Sequence, residues 1–158
     1  MERSSFFLFT VDFSIFSIYF LSICIQSANK GRANMDQITK NAKAKINLGL
    51  DVIRRRPDGY HEVKMIMQTV GIWDVLRITK ASEAGIRITA NDTAKNDQVP
   101  IDQNNLIYKA ASMLMNAYPD KIQGVQIHLD KNIPVAAGMA GGSTDAAATF
   151  TGMNELFD

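Results

Sequence analysis

The sequence predicts an α+β fold, and three observations carry that prediction. Five stretches read as strands, and two of them, 45–53 and 124–130, alternate apolar and polar residues with a period of two, the pattern of half-buried strands. One segment between the fourth and fifth of them sets apolar residues at helical spacing. Finally, "NIPVAAGMAGGSTDAAAT" (132–149) presses three glycines against a run of alanines, a bend that opens a helix. The resulting order, β-turn-β-β-β-α-β-glycine loop-α, is an α+β pattern without internal repeats.

The first 34 residues stand apart from this domain. Residues 6–25, "FFLFTVDFSIFSIYFLSICI", hold more than half of the chain's aromatic residues, and the composition changes abruptly at "QSANKGRAN". The stretch is long enough to cross a bilayer, but Asp12 near its centre would cost roughly 2.5–3.5 kcal/mol there. As a cleaved signal it lacks a small-x-small site, and Glu2 cancels Arg3. The favoured reading is a mis-called start, with translation beginning at Met35 and its polar lead-in "MDQITKNAKAK"; a membrane anchor and a signal are the alternatives. The domain is therefore taken as 35–158.

Each element follows from local chemistry. In "KINLGLDVI" (45–53), Ile46, Leu48, Leu50 and Val52 share one face, so a half-buried strand is expected. Pro57-Asp58-Gly59 is a turn, because Pro fixes φ and Gly accepts positive φ. Residues 63–72, 74–79 and 85–90 read as three further strands, and "NDTAKNDQVPIDQ" (91–103) as a polar loop. A helix starts near Asp102 or Asn104, both good N-caps. Its apolar stripe is Leu106, Ala110, Met113, Leu114 and Ala117, and Pro119 ends it. Residues 124–130 alternate again, and a last helix is expected from Ser143 or Thr144 to about Leu156.

Composition limits the function. The chain is 46% hydrophobic and 21% charged with a net charge of +1, so nothing electrostatic favours nucleic acid or an anionic membrane. One cysteine, Cys24, forbids an internal disulfide, and two histidines argue against a His/Cys zinc site. The cytoplasm is the expected compartment, and no membrane partner is expected for the body.

The glycine stretch carries the chemistry. It lies between a strand and a helix, where main-chain N–H groups converge and the helix N-terminus favours anions. Gly138, Gly141 and Gly142 let the main chain approach a ligand, and Ser143 and Thr144 add hydroxyls able to bond phosphate, Ser143 also being a candidate Mg²⁺ ligand. It is neither a Walker A loop nor a dinucleotide GxGxxG, whose spacings differ. A plain strand-to-helix bend is the competing reading.

"PVAAGMAGGSTDAAA" (134–148) resembles the phosphate-loop signature of the GHMP kinases, Pro-x3-Gly-Leu-x-Ser/Gly-Ser-Ser/Gly-Ala-Ala. "AKAKINLGLDVIRRRPDGYHEVKMIMQTVGIWDVLRI" (42–78) resembles the first motif of those members that phosphorylate the 2-hydroxyl of 4-diphosphocytidyl-2-C-methyl-D-erythritol. The resemblance implies a domain like the second domain of ribosomal protein S5, with a left-handed βαβ crossover, ending before the family's C-terminal domain. It implies ATP as co-substrate, Mg²⁺, and a small-molecule substrate that is a cytidine diphosphate-linked methylerythritol, as in isoprenoid precursor synthesis. By that resemblance Lys45 is catalytic, and Asn47, Tyr60 and His61 bind substrate. ATP falls to Pro134, Val135, Ala136, Ala137, Gly138, Met139, Ala140, Gly141, Gly142, Ser143 and Thr144. Met139 in place of Leu conserves volume, Thr144 keeps a hydroxyl, and Ala136 and Ala137 stand where some relatives have glycine. Asp145 reads as a first-turn carboxylate favoured by the helix dipole. The family's catalytic aspartate belongs to a Gly-Ala-Asp-Val-Pro-like motif that this sequence does not contain, so catalysis by these 158 residues alone is not expected. The alternatives are another GHMP small-molecule kinase, against which "RPDGYHE" argues, or a non-catalytic nucleotide-binding fragment.

Overall fold

The computed structural model describes residues 6–11, 35–92 and 99–157. These contain β1 (Phe6–Val11), β2 (Gln37–Arg55), β3 (His61–Lys80), β4 (Gly85–Asp92), α1 (Leu106–Ala117), β5 (Gly124–Lys131) and α2 (Gly141–Phe157). Asp12, Cys24 and residues 93–98 of the polar loop lie outside the described residues.

β3 is the long strand of a mixed sheet. β2 runs antiparallel along one edge of it, from Gln37↔Thr79 to Arg55↔His61. The opposite edge is shared, with β1 on residues 63–68 and β5 on residues 75–80, both antiparallel. β4 pairs parallel with β5, and α1 makes the crossover between them. β1 falls inside the apolar N-terminal stretch, so part of that stretch is an edge strand of this sheet. No helix among the described residues is long and apolar enough to cross a membrane.

Alternation sorts the sheet into two faces. Leu76 and Ile78 of β3 and Val125, Ile127 and Leu129 of β5 point into the helical layer, where Ile107 of α1 and Met153 of α2 meet them. Each such burial stabilises the fold by about 1.5–3 kcal/mol. The intervening residues form a polar outer face, where Arg77 pairs with Asp130 and His128 Nδ1 lies 2.8 Å from Thr89 Oγ1. Gly152 lets α2 lie close to the sheet, since a Cβ there would come within 2.5 Å of Ile78 Cδ1.

Several expected boundaries move. Residues 63–72 and 74–79 are one strand, because Gly71 marks a bulge: the pairing steps from Lys43↔Trp73 to Lys45↔Thr69 and passes over residues 70–72. β2 starts at Gln37, and the lead-in before Lys45 turns Ala42 and Ala44 into the core. Beyond Lys45 the helical layer ends, so Leu48, Leu50 and Val52 are more than half exposed rather than half-buried. Asn105, not Asp102 or Asn104, caps α1, its Oδ1 accepting from Ile107 N at 2.8 Å. Asp102 instead shapes the preceding turn by accepting from Asn104 N. The buried stripe of α1 is Ile107, Ala110 and Ala111, while Leu106, Met113 and Ala117 of the expected stripe are exposed. α2 begins at Gly141, two residues before Ser143.

Candidate functional site

The bulge in β3 is what builds the site. Where regular pairing breaks, Lys45 turns its main-chain N–H to Met139 O at 3.0 Å and ties β2 to the glycine-rich loop. Its side chain makes a second tie, Nζ donating to Gly138 O at 2.9 Å and to Asn47 Oδ1 at 3.2 Å. Lys45, Asn47, Gly138 and Met139 are thus brought together. Partial burial holds the Lys45 ammonium below the usual lysine range.

The loop has an alternating backbone. Ala136, Gly138 and Ala140 take positive φ values of 59°, 72° and 64°. Residues of positive φ alternating with residues of negative φ form the kind of backbone whose N–H groups can line one concavity, the geometry that cups anions. For alanine that conformation costs roughly 1–2 kcal/mol, so the loop holds its shape against local preference. The concavity runs into the N-terminus of α2, whose first hydrogen bond is Thr144 N to Ala140 O at 2.9 Å. The N–H groups of Gly141, Gly142 and Ser143 precede that bond and have no intrahelical acceptor. Thr144 is buried and its hydroxyl donates to Gly141 O at 2.9 Å, which makes it part of the helix start rather than an exposed ligand. Ser143 is exposed.

Asp145 departs from its expected role. It lies beyond the first turn, 3% exposed, with Oδ2 3.1 Å from Lys131 Nζ. Lys131 also binds Asp74, whose Oδ1 accepts from Asn132 N at 2.6 Å and Ile133 N at 2.8 Å. Burial pushes the Asp145 carboxyl up to about 7; Lys131 opposes the shift and Asp74 adds to it. A dipole-stabilised exposed carboxylate would behave in the opposite way. Sequence reasoning passed over Asp74 and Lys131, although both interrupt core-facing apolar alternations.

Tyr60 and His61 sit elsewhere. Both are exposed at the turn joining β2 to β3, which is held by Gly59 at φ 87° and by Tyr60 N donating to Asp58 Oδ1 at 3.1 Å. Arg55, the partner of His61, lies ten residues along β2 from Lys45, and register shifts at Asn47/Gly49 and Val52/Arg54 interrupt the strand between them. Tyr60 and His61 thus lie at the turn of the β2–β3 hairpin, and Lys45 and Asn47 on its first strand.

A strand lysine anchored to a glycine-rich loop that opens a helix is an arrangement able to hold a phosphate group. Residues 105–158, which take in α1, β5, the loop and α2, match the family described as GHMP kinases N terminal domain. The chain belongs to the GHMP kinases. It is 51% identical over 125 residues to 4-diphosphocytidyl-2-C-methyl-D-erythritol kinase of Lachnospira eligens, over 78% of this chain and 41% of that protein. A crystal structure of 4-(cytidine 5'-diphospho)-2C-methyl-D-erythritol kinase matches with a TM-score of 0.63 at 36% identity, over 76% of this chain and 41% of that one. Homoserine kinase from Cytophaga hutchinsonii shares the fold, with a TM-score of 0.58 at 17% identity over 82% of this chain and 38% of that one. The chain spans about two fifths of the length of the relatives it matches.

Proposed function

We propose that residues 35–158 are the nucleotide-binding part of a cytosolic kinase that transfers the ATP γ-phosphoryl group to the 2-hydroxyl of 4-diphosphocytidyl-2-C-methyl-D-erythritol. The observation that carries this reading is the pair of bonds from Lys45 to Gly138 and Met139, which sets an ammonium beside the anion-cupping loop. Phosphoryl transfer depends on positioning and on stabilising charge spread over the transferred oxygens. The N–H groups of the 134–144 loop hold the polyphosphate. Lys45 supplies a fixed positive charge where the group is transferred, and Asn47 orients the acceptor and Lys45 itself. Tyr60 and His61, at the far turn, take the cytosine, by stacking and by hydrogen bonds.

Magnesium fits the loop in a limited way. The exposed Ser143 hydroxyl at the helix start is an oxygen donor of the right kind, and Mg²⁺ bound to nucleotide needs few protein ligands beside phosphate and water. When bound, it neutralises charge on the phosphate oxygens. Asp145 is not a base for the acceptor hydroxyl in this reading, because its carboxyl is turned into the core against Lys131.

The test grafts residues 35–158 in place of the matching segment of the Lachnospira eligens relative and follows ADP formation with the cytidine derivative or homoserine as acceptor. Turnover on the cytidine derivative is expected. Lys45→Ala in the graft should lower kcat far more than ATP affinity. Preference for homoserine, or an unchanged kcat in the Lys45 variant, would overturn the assignment.

A further inference from the structure

One group of charged residues has no part in the chemistry above. Asp74, Lys131 and Asp145 are 0%, 4% and 3% exposed. Asp74 continues the core-facing series of Leu76 and Ile78, and Lys131 that of Ile127 and Leu129, one step beyond the Val75↔Asp130 pair. Their contacts fall at the two ends of the glycine-rich loop. At the entrance, Asp74 Oδ1 accepts from the N–H groups of Asn132 and Ile133, and Asn132 Nδ2 donates to Trp73 O at 2.9 Å. At the exit, Lys131 Nζ passes from Asp74 to Asp145 in α2. Gly141 leaves it room: a Cβ there would lie 2.8 Å from Lys131 Nζ and 3.1 Å from Ile133 Cγ2.

We propose that Asp74, Lys131 and Asp145 are positioning residues, a buried clamp that fixes both ends of the 132–140 loop and so sets the aim of its main-chain N–H groups. The inference deepens the phosphate-loop reading and rests on it for the ligand; the ordering of the loop does not. A buried ionic cluster adds little net stability over well-packed apolar side chains, but removing one member leaves buried polar groups short of a partner. Such a contact is directional where apolar packing is not. The alanines at positive φ need that constraint, since their local preference would let the loop relax. Asp145 Oδ1 is buried without a hydrogen-bond partner among the described residues, and Oδ2 carries the contact with Lys131.

The test compares Asp145→Ala, Asp145→Asn and a core control, Ile107→Val, by amide hydrogen exchange of the 158-residue chain, with MgATP titration alongside. In Asp145→Ala, exchange of residues 133–142 should quicken at least tenfold relative to α1 and β4, equivalent to about 1.4 kcal/mol of local opening. Asp145→Asn keeps an acceptor for Lys131 and should quicken the loop less, while Ile107→Val should not single out the loop. Should Asp145→Ala fail to fold, the Asn variant against the control decides. No loop-specific change, or equal acceleration in loop and helices, would overturn the clamp. MgATP affinity should fall about tenfold in Asp145→Ala. If the unaltered chain fails to bind MgATP, the phosphate reading fails, while the exchange data still judge the clamp.

Discussion

Asp145→Asn should change how stability depends on pH, and the sign follows from where the carboxyl sits. Its burial beside Asp74, only partly offset by Lys131, raises it from the ordinary 3.8 to about 7. The folded chain therefore holds that proton more tightly than the unfolded chain does. Stability from this source is fully present below about pH 4 and is lost as pH rises to about 7. At 1.36 kcal/mol per pH unit the interval corresponds to at most about 4 kcal/mol. Asparagine mimics the protonated acid and does not titrate, so subtracting the variant removes other groups that titrate alike in both. Urea unfolding of both proteins from pH 4.5 to 7.5 provides the assay. The unaltered chain should lose several kcal/mol relative to the variant across that range, with the urea dependence unchanged. A constant difference, or one that grows in favour of the unaltered chain as pH rises, would refute the reasoning.

Two further substitutions probe the loop. Gly141→Ala should destabilise the chain by about 1–2 kcal/mol: overpacking against Lys131 and Ile133 costs about 1–3 kcal/mol, and the better helix propensity returns up to about 1. An unchanged urea midpoint would mean that Lys131 does not run beneath the helix start. The double variant Ala136→Gly, Ala140→Gly should be neutral to slightly stabilising, since relief of two positive-φ alanines, about 1 kcal/mol each, is offset by a looser unfolded chain. A loss above about 2 kcal/mol in thermal or urea unfolding would contradict the strain.

Much of this architecture was legible in the sequence. The five stretches read as strands became β2, β3, β4 and β5, and the glycine-to-alanine transition became the loop and α2. Lys45 and the loop, distant in sequence, do meet. The failures have physical causes. The stretches 63–72 and 74–79 are one strand with a bulge over residues 70–72, and only the pairing with β2 reveals that. Alternation in β2 gives the right periodicity but cannot say which residues lie under the helical layer, so Leu48, Leu50 and Val52 look buried and are not. The stripe of α1 was misplaced for three members, Leu106, Met113 and Ala117, because Ile107 and Ala111 fit helical spacing equally well.

The buried clamp shows the limit most clearly. Asp74 and Lys131 look like ordinary charges between strand residues, and each alone would read as solvated. Counting faces along β3 and β5 puts both inward on adjacent strands, and two opposite charges on one core face must meet. Asp145 gave no such signal, since a carboxylate near a helix start has a sufficient local explanation. Only the packing of α2 on the sheet places it against Lys131. Tyr60 and His61 are exposed, as their adjacency to the Pro57-Asp58-Gly59 turn implies.

The most direct measurement is nuclear magnetic resonance of the ¹⁵N-labelled 158-residue chain titrated with MgATP. Backbone amides of residues 135–144 and the Lys45 Nζ resonance should shift together and saturate, with the outer-face residues Arg77 and His128 unmoved. Shifts centred on another part of the sheet, or none in the loop at saturating nucleotide, would contradict a phosphate site between Lys45 and the start of α2.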